Sequence, residues 1–435
     1  MYRRLVAAVS TLLAASLTLT GCVSAGGGGD SSPAESRAPG EKITLSFSSS
    51  AFQPGTIKET TKIVDAWNAA HPDIQVQYQK VSPDDAHDKL VTQFAGGSAP
   101  DVIQNEAADN AGFSRQGYLL DLGSMIPADL KSDIPDPIWQ SVTVDGKITS
   151  VPYMTQVYAL FVNASKLEQA GIEIPTDAGD GWTWDQLRSN AKKLTKGKTV
   201  GFAWGLKQPA QGIISESLSY DGTFFSGEPA KPTIKVGPNE LKVPQTLHTM
   251  LFQDKSMSPS SITLGGSDVV PGFVGGKYAT VLAGNYIASQ LETDAPKSLD
   301  WRILPLLKGT NDHQAANPQT FSIARQSKHP KEAMQFIQFM MQSDHVAALS
   351  EADSLIPVTK SAGAAVSEKK GDTHGWPAIL NSQESLVNTP AYQADNFTEW
   401  KTTTANPAYQ EYLGGKIDEA GLAKKLTDGW QRANQ

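Results

Sequence analysis

The chain is poor in cysteine, in net positive charge and in long apolar runs, and each shortage excludes something. Its 435 residues include one cysteine, so neither an internal disulfide nor a cysteine-rich metal site can form. Lys and Arg number 37 against 45 Asp and Glu, a net charge of −8. That balance argues against a nucleic-acid partner, because phosphate binding needs a basic surface. His71, His87, His248, His313, His329, His345 and His374 are scattered without metal-ligand spacing, so no metal is expected. No G-x-S-x-G elbow surrounds any serine. The glycine-rich stretch 272–276 fails as a phosphate loop, because Pro271 holds the first glycine position and Tyr278 replaces the magnesium-binding hydroxyl. Carboxylates are plentiful, which leaves a glycosidase pair open, but nothing marks two of them as partners. There is no repeat of solenoid period, and no apolar stretch of spanning length follows the N-terminal one.

That N-terminal stretch sets the compartment. Arg3 and Arg4 precede an uncharged apolar run over 5–19, the pattern of an export signal, taken as residues 1–21. Leu19-Thr20-Gly21-Cys22 resembles the bacterial lipobox, in which cleavage exposes the cysteine and lipid joins its thiol; Cys22 is the expected lipidation site. Cleavage removes two arginines and no acid, leaving −10. Residues 22–41, rich in Gly, Ser, Pro and Ala, read as a flexible anchored tether with an r.m.s. reach of roughly 25 Å. The body is expected outside the cell, held to the outer face of the cytoplasmic membrane by lipid alone, on a Gram-positive surface.

Beyond the tether, Lys42 to Phe47 alternates with period two and predicts a strand. Ile57, Val64 and Trp67 share a helix face that His71-Pro72 ends, and Ile74, Val76 and Tyr78 alternate as a second strand. Ser82-Pro83 predicts a helix start, Gly96-Gly97 its end, and Pro100 to Ile103 a third strand. This order implies a parallel, helix-covered sheet, with ligands bound beyond the strands' carboxyl ends. Residues 48–52 and 104–109 would then line a cleft. Further strands are predicted over 200–204, 277–282, 301–306 and 321–324. Helices are predicted after Trp184, after Tyr286 and from Pro330, where Ala333, Phe336, Ile337 and Met340 share a face. An amphipathic run to Trp430 closes the chain.

Four ordered stretches, together with the lipobox, resemble the extracellular solute-binding lipoproteins of sugar-importing ABC transporters, the maltose-binding type. They are Trp67-Asn68 with His71-Pro72-Asp73-Ile74-Gln75-Val76; Phe94 to Val102, reading FAGGSAPDV; Gly146 to Asn163; and Ser327-Lys328-His329-Pro330-Lys331-Glu332-Ala333. The likeness covers 42–430. It implies an α/β, type II periplasmic-binding-protein fold of two hinge-linked lobes that close on a ligand. Transferred here, lobe one is 42–154 plus 320–357 and lobe two is 155–319 plus 358–435. It implies a monomer that captures a mono- or oligosaccharide and delivers it to ABC permease subunits with a cytoplasmic ATPase, without catalysis or cofactor. The rivals are an exported glycan-degrading enzyme, or the same fold holding a polyol, a glycerol phosphate ester or another small solute.

Sugars present hydroxyls and apolar C–H faces, so a site needs amides, carboxylates and rings. Gln156 matches the position where maltose-binding relatives carry a sugar-contacting Glu, and Tyr153 and Tyr158 flank it. Gly284-Asn285-Tyr286 matches the segment that holds a stacking aromatic, making Tyr286 the platform and Asn285 a hydroxyl partner. Asn105 and Glu106 follow the third strand. Trp204 and Trp376 are further stacking candidates, and Ser49 and Ser50 complete the set.

Overall fold

The computed structural model describes residues 41–175, 180–228 and 230–434; the signal peptide, Cys22 and nearly all of the tether lie outside the described residues. In chain order the elements that build the site begin with β1 (Ile43–Ser49), α1 (Pro54–Ala70), β2 (Ile74–Lys80), α2 (Pro83–Ala95), β3 (Val102–Glu106) and α3 (Ala107–Arg115). Next come β4 (Val151–Thr155), β5 (Tyr158–Asn163), α4 (Trp184–Leu194), β6 (Val200–Trp204), α5 (Ala210–Ser217) and α6 (Pro238–Phe252). They are followed by β7 (Tyr278–Gly284), α7 (Ile287–Asp294), β8 (Trp301–Leu304), β9 (Gln319–Ile323), α8 (Pro330–Met340), α9 (Ser343–Asp353), β10 (Ile356–Pro357), α10 (Lys360–Lys370) and α11 (Glu419–Ala433).

The strands assort into a six-stranded sheet, β10-β4-β9-β3-β1-β2, and a four-stranded one, β8-β5-β7-β6. β1 runs parallel to β2 and β3, as the strand-helix alternation requires. The expectation of a parallel sheet fails beyond these three. β9 is antiparallel to both β3 and β4, and β10 to β4. The physical reason is the route: β9 returns from the other sheet and so enters at the end where β3 finishes, with Gln319 opposite Glu106.

Periodicity explains the local elements. Ile43, Leu45 and Phe47 of β1 point inward, and the Phe47 ring meets Tyr78, Phe321 and Phe336 at centroid distances of 5.4, 6.0 and 5.4 Å. α1 buries Thr60, Ile63, Val64 and Trp67, and the His71 ring that ends it stacks on Trp67 at 3.6 Å. Ser82 precedes α2 as predicted, but its side chain makes no capping bond. The capping box falls instead at α4, where Thr183 accepts from the Gln186 amide and the Gln186 side chain accepts from the Thr183 amide. α8 buries Ala333, Phe336, Ile337 and Met340, and α11 buries Leu422, Leu426 and Trp430. β7 runs two residues further than predicted, through Ala283 and Gly284, and all seven of its residues are buried.

The C-terminal portion spans both sheets' neighbourhoods. The Lys360 ammonium donates to the Ser132 carbonyl and Ser361 bonds Asp133, while Lys370 pairs with Glu292 at 2.7 Å. Arg115, at the end of α3, donates to the Gln393 carbonyl and pairs with Asp395, and Thr398 donates to Asp109 at 2.9 Å. None of the described helices is long and apolar enough to cross a membrane.

Candidate ligand cleft

The crossings between sheets gather at one rim. Met154, near the end of β4, lies opposite Gln319 at the start of β9, and Thr155 lies opposite Ile356 at the start of β10. β3 ends at the same rim with Glu106. A cavity of about 400 Å³ opens there. From the six-stranded side it is lined by Phe52, Glu106, Gln319, Asp353 and Leu355; from the four-stranded side by Tyr158, Trp204, Gln208, Gln211 and Tyr286; and from the crossing by Gln156.

Three glycines set the rings. A Cβ at Gly212 would come within 2.7 Å of the Trp204 ring and 3.1 Å of Tyr158, so α5 can lie against this T-shaped pair only with glycine there. A Cβ at Gly266 would stand 2.1 Å from the Tyr286 hydroxyl, and one at Gly284 would be 2.2 Å from its ring. Tyr286 therefore threads a slot between two glycine backbones. Its edge meets Phe52 across the cavity, centroids 6.2 Å apart at 77°.

A polar chain runs along the rim of the six-stranded sheet. The Ser49 hydroxyl donates to the side-chain oxygen Oε1 of Gln104 at 2.8 Å, and the Ser50 backbone amide donates to the same oxygen at 3.0 Å. The Gln104 amide donates to Gln319, and Gln319 in turn donates to Glu106 at 3.2 Å. Asn317 donates to the other Glu106 oxygen at 2.7 Å. Burial, and then the charge of Asp109, pushes the Glu106 carboxyl up from its ordinary value, against Lys401. Asp353, the last residue of α9, is pushed up to about 6 by burial. Burial also lifts Tyr286 to about 12, with Glu106, Asp353 and Asp268 adding to the effect.

Of the residues singled out from sequence, Gln156, Glu106, Trp204 and Tyr286 line this cavity, as does Tyr158. The others do not. Asn285 is fully buried, accepting from the Val157 amide at 3.0 Å and donating to the Ser354 carbonyl, so it ties β7 to the crossing rather than facing solute. Tyr153 is buried against Phe321 at 4.3 Å. Trp376 is fully buried, with the Lys370 ammonium 4.7 Å from its ring, away from the cavity. Asn105 points inward from β3 and is 4% exposed, and Ser49 and Ser50 are spent on Gln104. Phe52 falls in the 48–52 segment expected to line the cleft; Gln208 and Gln211 follow the end of β6, a signal that could have found them, and Asp353, at a helix end, carried none. Among the described residues no group of three His, Cys, Asp or Glu side chains could hold a metal ion.

Two α/β lobes with a polar and aromatic cavity at the strand crossings define a cleft-type solute receptor. Residues 53–347 match the bacterial extracellular solute-binding proteins, and the chain belongs to that family. It is 36% identical over 378 residues to the uncharacterized lipoprotein in the oleD 5′ region of Streptomyces antibioticus, covering 86% of this chain and 83% of that one. In fold it is similar to an ABC substrate-binding protein of Listeria monocytogenes in complex with cycloalternan, with a TM-score of 0.75, 22% identity and coverage of 91% and 98%. It is likewise similar to the maltose-bound MalE3 of T. maritima, with a TM-score of 0.76, 20% identity and coverage of 89% and 99%.

Proposed function

We propose that the protein captures a sugar or oligosaccharide outside the cell and delivers it, chemically unaltered, to an ABC permease. The observation that carries this reading is the cavity lining. Phe52 and Tyr286 from opposite sides, with Tyr158 and Trp204, supply ring faces for sugar C–H surfaces, and Gln156, Gln319, Gln211 and Glu106 supply hydroxyl partners. The maltose and cycloalternan held by proteins of the same fold support the ligand class. Lobe one is taken as 42–154 with 320–357 and lobe two as 155–319 with 358–435; the strands' division between two sheets supports this. Closing the lobes around the ligand lets it contact both, which shifts the open–closed equilibrium. The protein works as a monomer, tethered through lipid on Cys22 to the outer face of the cytoplasmic membrane in a Gram-positive envelope.

A thermal-shift screen of residues 42–435 against mono- and oligosaccharides tests the reading, with product analysis alongside. A ligand at 100 times its Kd adds about 2.7 kcal/mol of stability. No shift with any sugar, or cleavage of one, overturns it.

A further inference from the structure

We infer that the cavity selects a carbohydrate bearing a protonated amine, with the Asp353 carboxylate as its counter-ion. The inference rests on the carbohydrate reading above and narrows its substrate class. The two acids of the cavity are not equivalent. Glu106 already has partners: amide donors from Asn317 and Gln319, and the positive charge of Lys401 acting on it. Asp353 has no such company. The Thr56 hydroxyl is the one neighbour that favours its charged form, no basic side chain acts on it, and it takes part in no ion pair among the described residues.

Its place in the fold makes the missing cation more costly. Asp353 closes α9, so it sits at the negative end of the helix dipole, where a cation rather than an anion is favoured. It is half-buried, and a carboxylate taken out of water without a counter-charge is strongly disfavoured. The surrounding rings add to this. Asp353 lines the same cavity as Phe52 and Tyr286, and its charge acts on the Tyr286 hydroxyl. A ring face beside a carboxylate favours a cation on both counts. Lys207, the basic residue on the cavity lining, is exposed at its edge. A neutral sugar would leave the Asp353 charge uncompensated; an ammonium group would supply what the protein omits.

The test uses the full chain and matched pairs that differ only in amine for hydroxyl: the β-1,4 glucosamine tetramer against cellotetraose, and glucosamine against glucose, by titration calorimetry at pH 7. The N-acetylated tetramer controls for bulk without charge. The amine member of a pair is expected to bind at least tenfold tighter than its hydroxyl and N-acetyl counterparts. In Asp353→Asn, and in Asp353→Ser read in parallel in case one variant folds poorly, the gap is expected to shrink below threefold. Equal or tighter binding of the hydroxyl member overturns the inference and leaves the carbohydrate reading standing. A gap that persists in a folded variant also overturns it, since the counter-ion is then another group. Binding of no member of any pair overturns both.

Discussion

In the unfolded chain the Asp353 carboxyl loses its proton near the ordinary 3.8, whereas in the folded protein burial holds the proton until about pH 6. The folded state therefore binds that proton more tightly. The associated stability is complete below about pH 3.8 and is lost as pH rises through about 6. Asp353→Asn should flatten the fall over this window. It should also stabilise the empty protein at pH 7 by about 1–2 kcal/mol, the two-unit shift discounted for partial exposure. Urea unfolding of parent and variant at pH 4, 5, 6 and 7 measures this; parallel pH profiles would contradict it. A second residue-scale expectation concerns the slot that holds Tyr286. Gly266 has ordinary helical torsions, φ −56 and ψ −46, so alanine strains no backbone there and acts only through the Cβ that would collide with the Tyr286 hydroxyl. Gly266→Ala should weaken sugar binding at least tenfold, about 1.4 kcal/mol, and adding Tyr286→Phe should recover part of the loss. Titrating a ligand found by the sugar screen into the parent and these two variants decides it.

At the scale of elements, much was legible because it depends on near neighbours in the chain. Alternation located β1 and β2, the His71-Pro72 stop located the end of α1, and the spacing of Ala333, Phe336, Ile337 and Met340 located α8. Caps were less legible, since any serine before a proline resembles one. Ser82 does not cap, and the reciprocal pair at Thr183 and Gln186 does. Thr183→Ala should accordingly cost about 1 kcal/mol of stability, measured by thermal or urea unfolding, while Ser82→Ala stays near neutral. Strand direction was not legible beyond β3. Nothing within β9 records that it enters its sheet from the opposite end, because that depends on a chain path running through the second sheet.

At the scale of the whole molecule, the two sheets are joined where the chain crosses and where rings meet. Phe52 follows β1 and Tyr286 follows β7, so their edge contact links one sheet's loops to the other's. Phe52 is 54% exposed, which gives it a free face toward a guest in the cavity. Phe52→Ala should leave the fold intact, because more than half of the residue is already exposed. It should weaken sugar binding several-fold and lessen the ligand-induced fall in radius of gyration. Small-angle scattering of parent and variant, with and without a sugar that shifts the melting temperature, tests this. An unchanged affinity and an unchanged contraction would refute it. The contacts of Arg115 with Gln393 and Asp395 bind α3 to a segment near the other end of the chain.

What the sequence determined by itself was whatever adjacent residues decide: the order of strands and helices, and the segments beyond strand ends that could face a solute. Glu106, Trp204 and Tyr286 were readable because each sits at or just past such an end. The tertiary structure alone decided which polar side chains are free for a guest. Asn285, Ser49 and Trp376 are consumed by packing and by hydrogen bonds to distant segments. Asp353 reaches the cavity only because α9 ends against the strand crossings. Whether a polar atom is satisfied depends on its neighbours in space, and those are chosen by the packing of the whole chain.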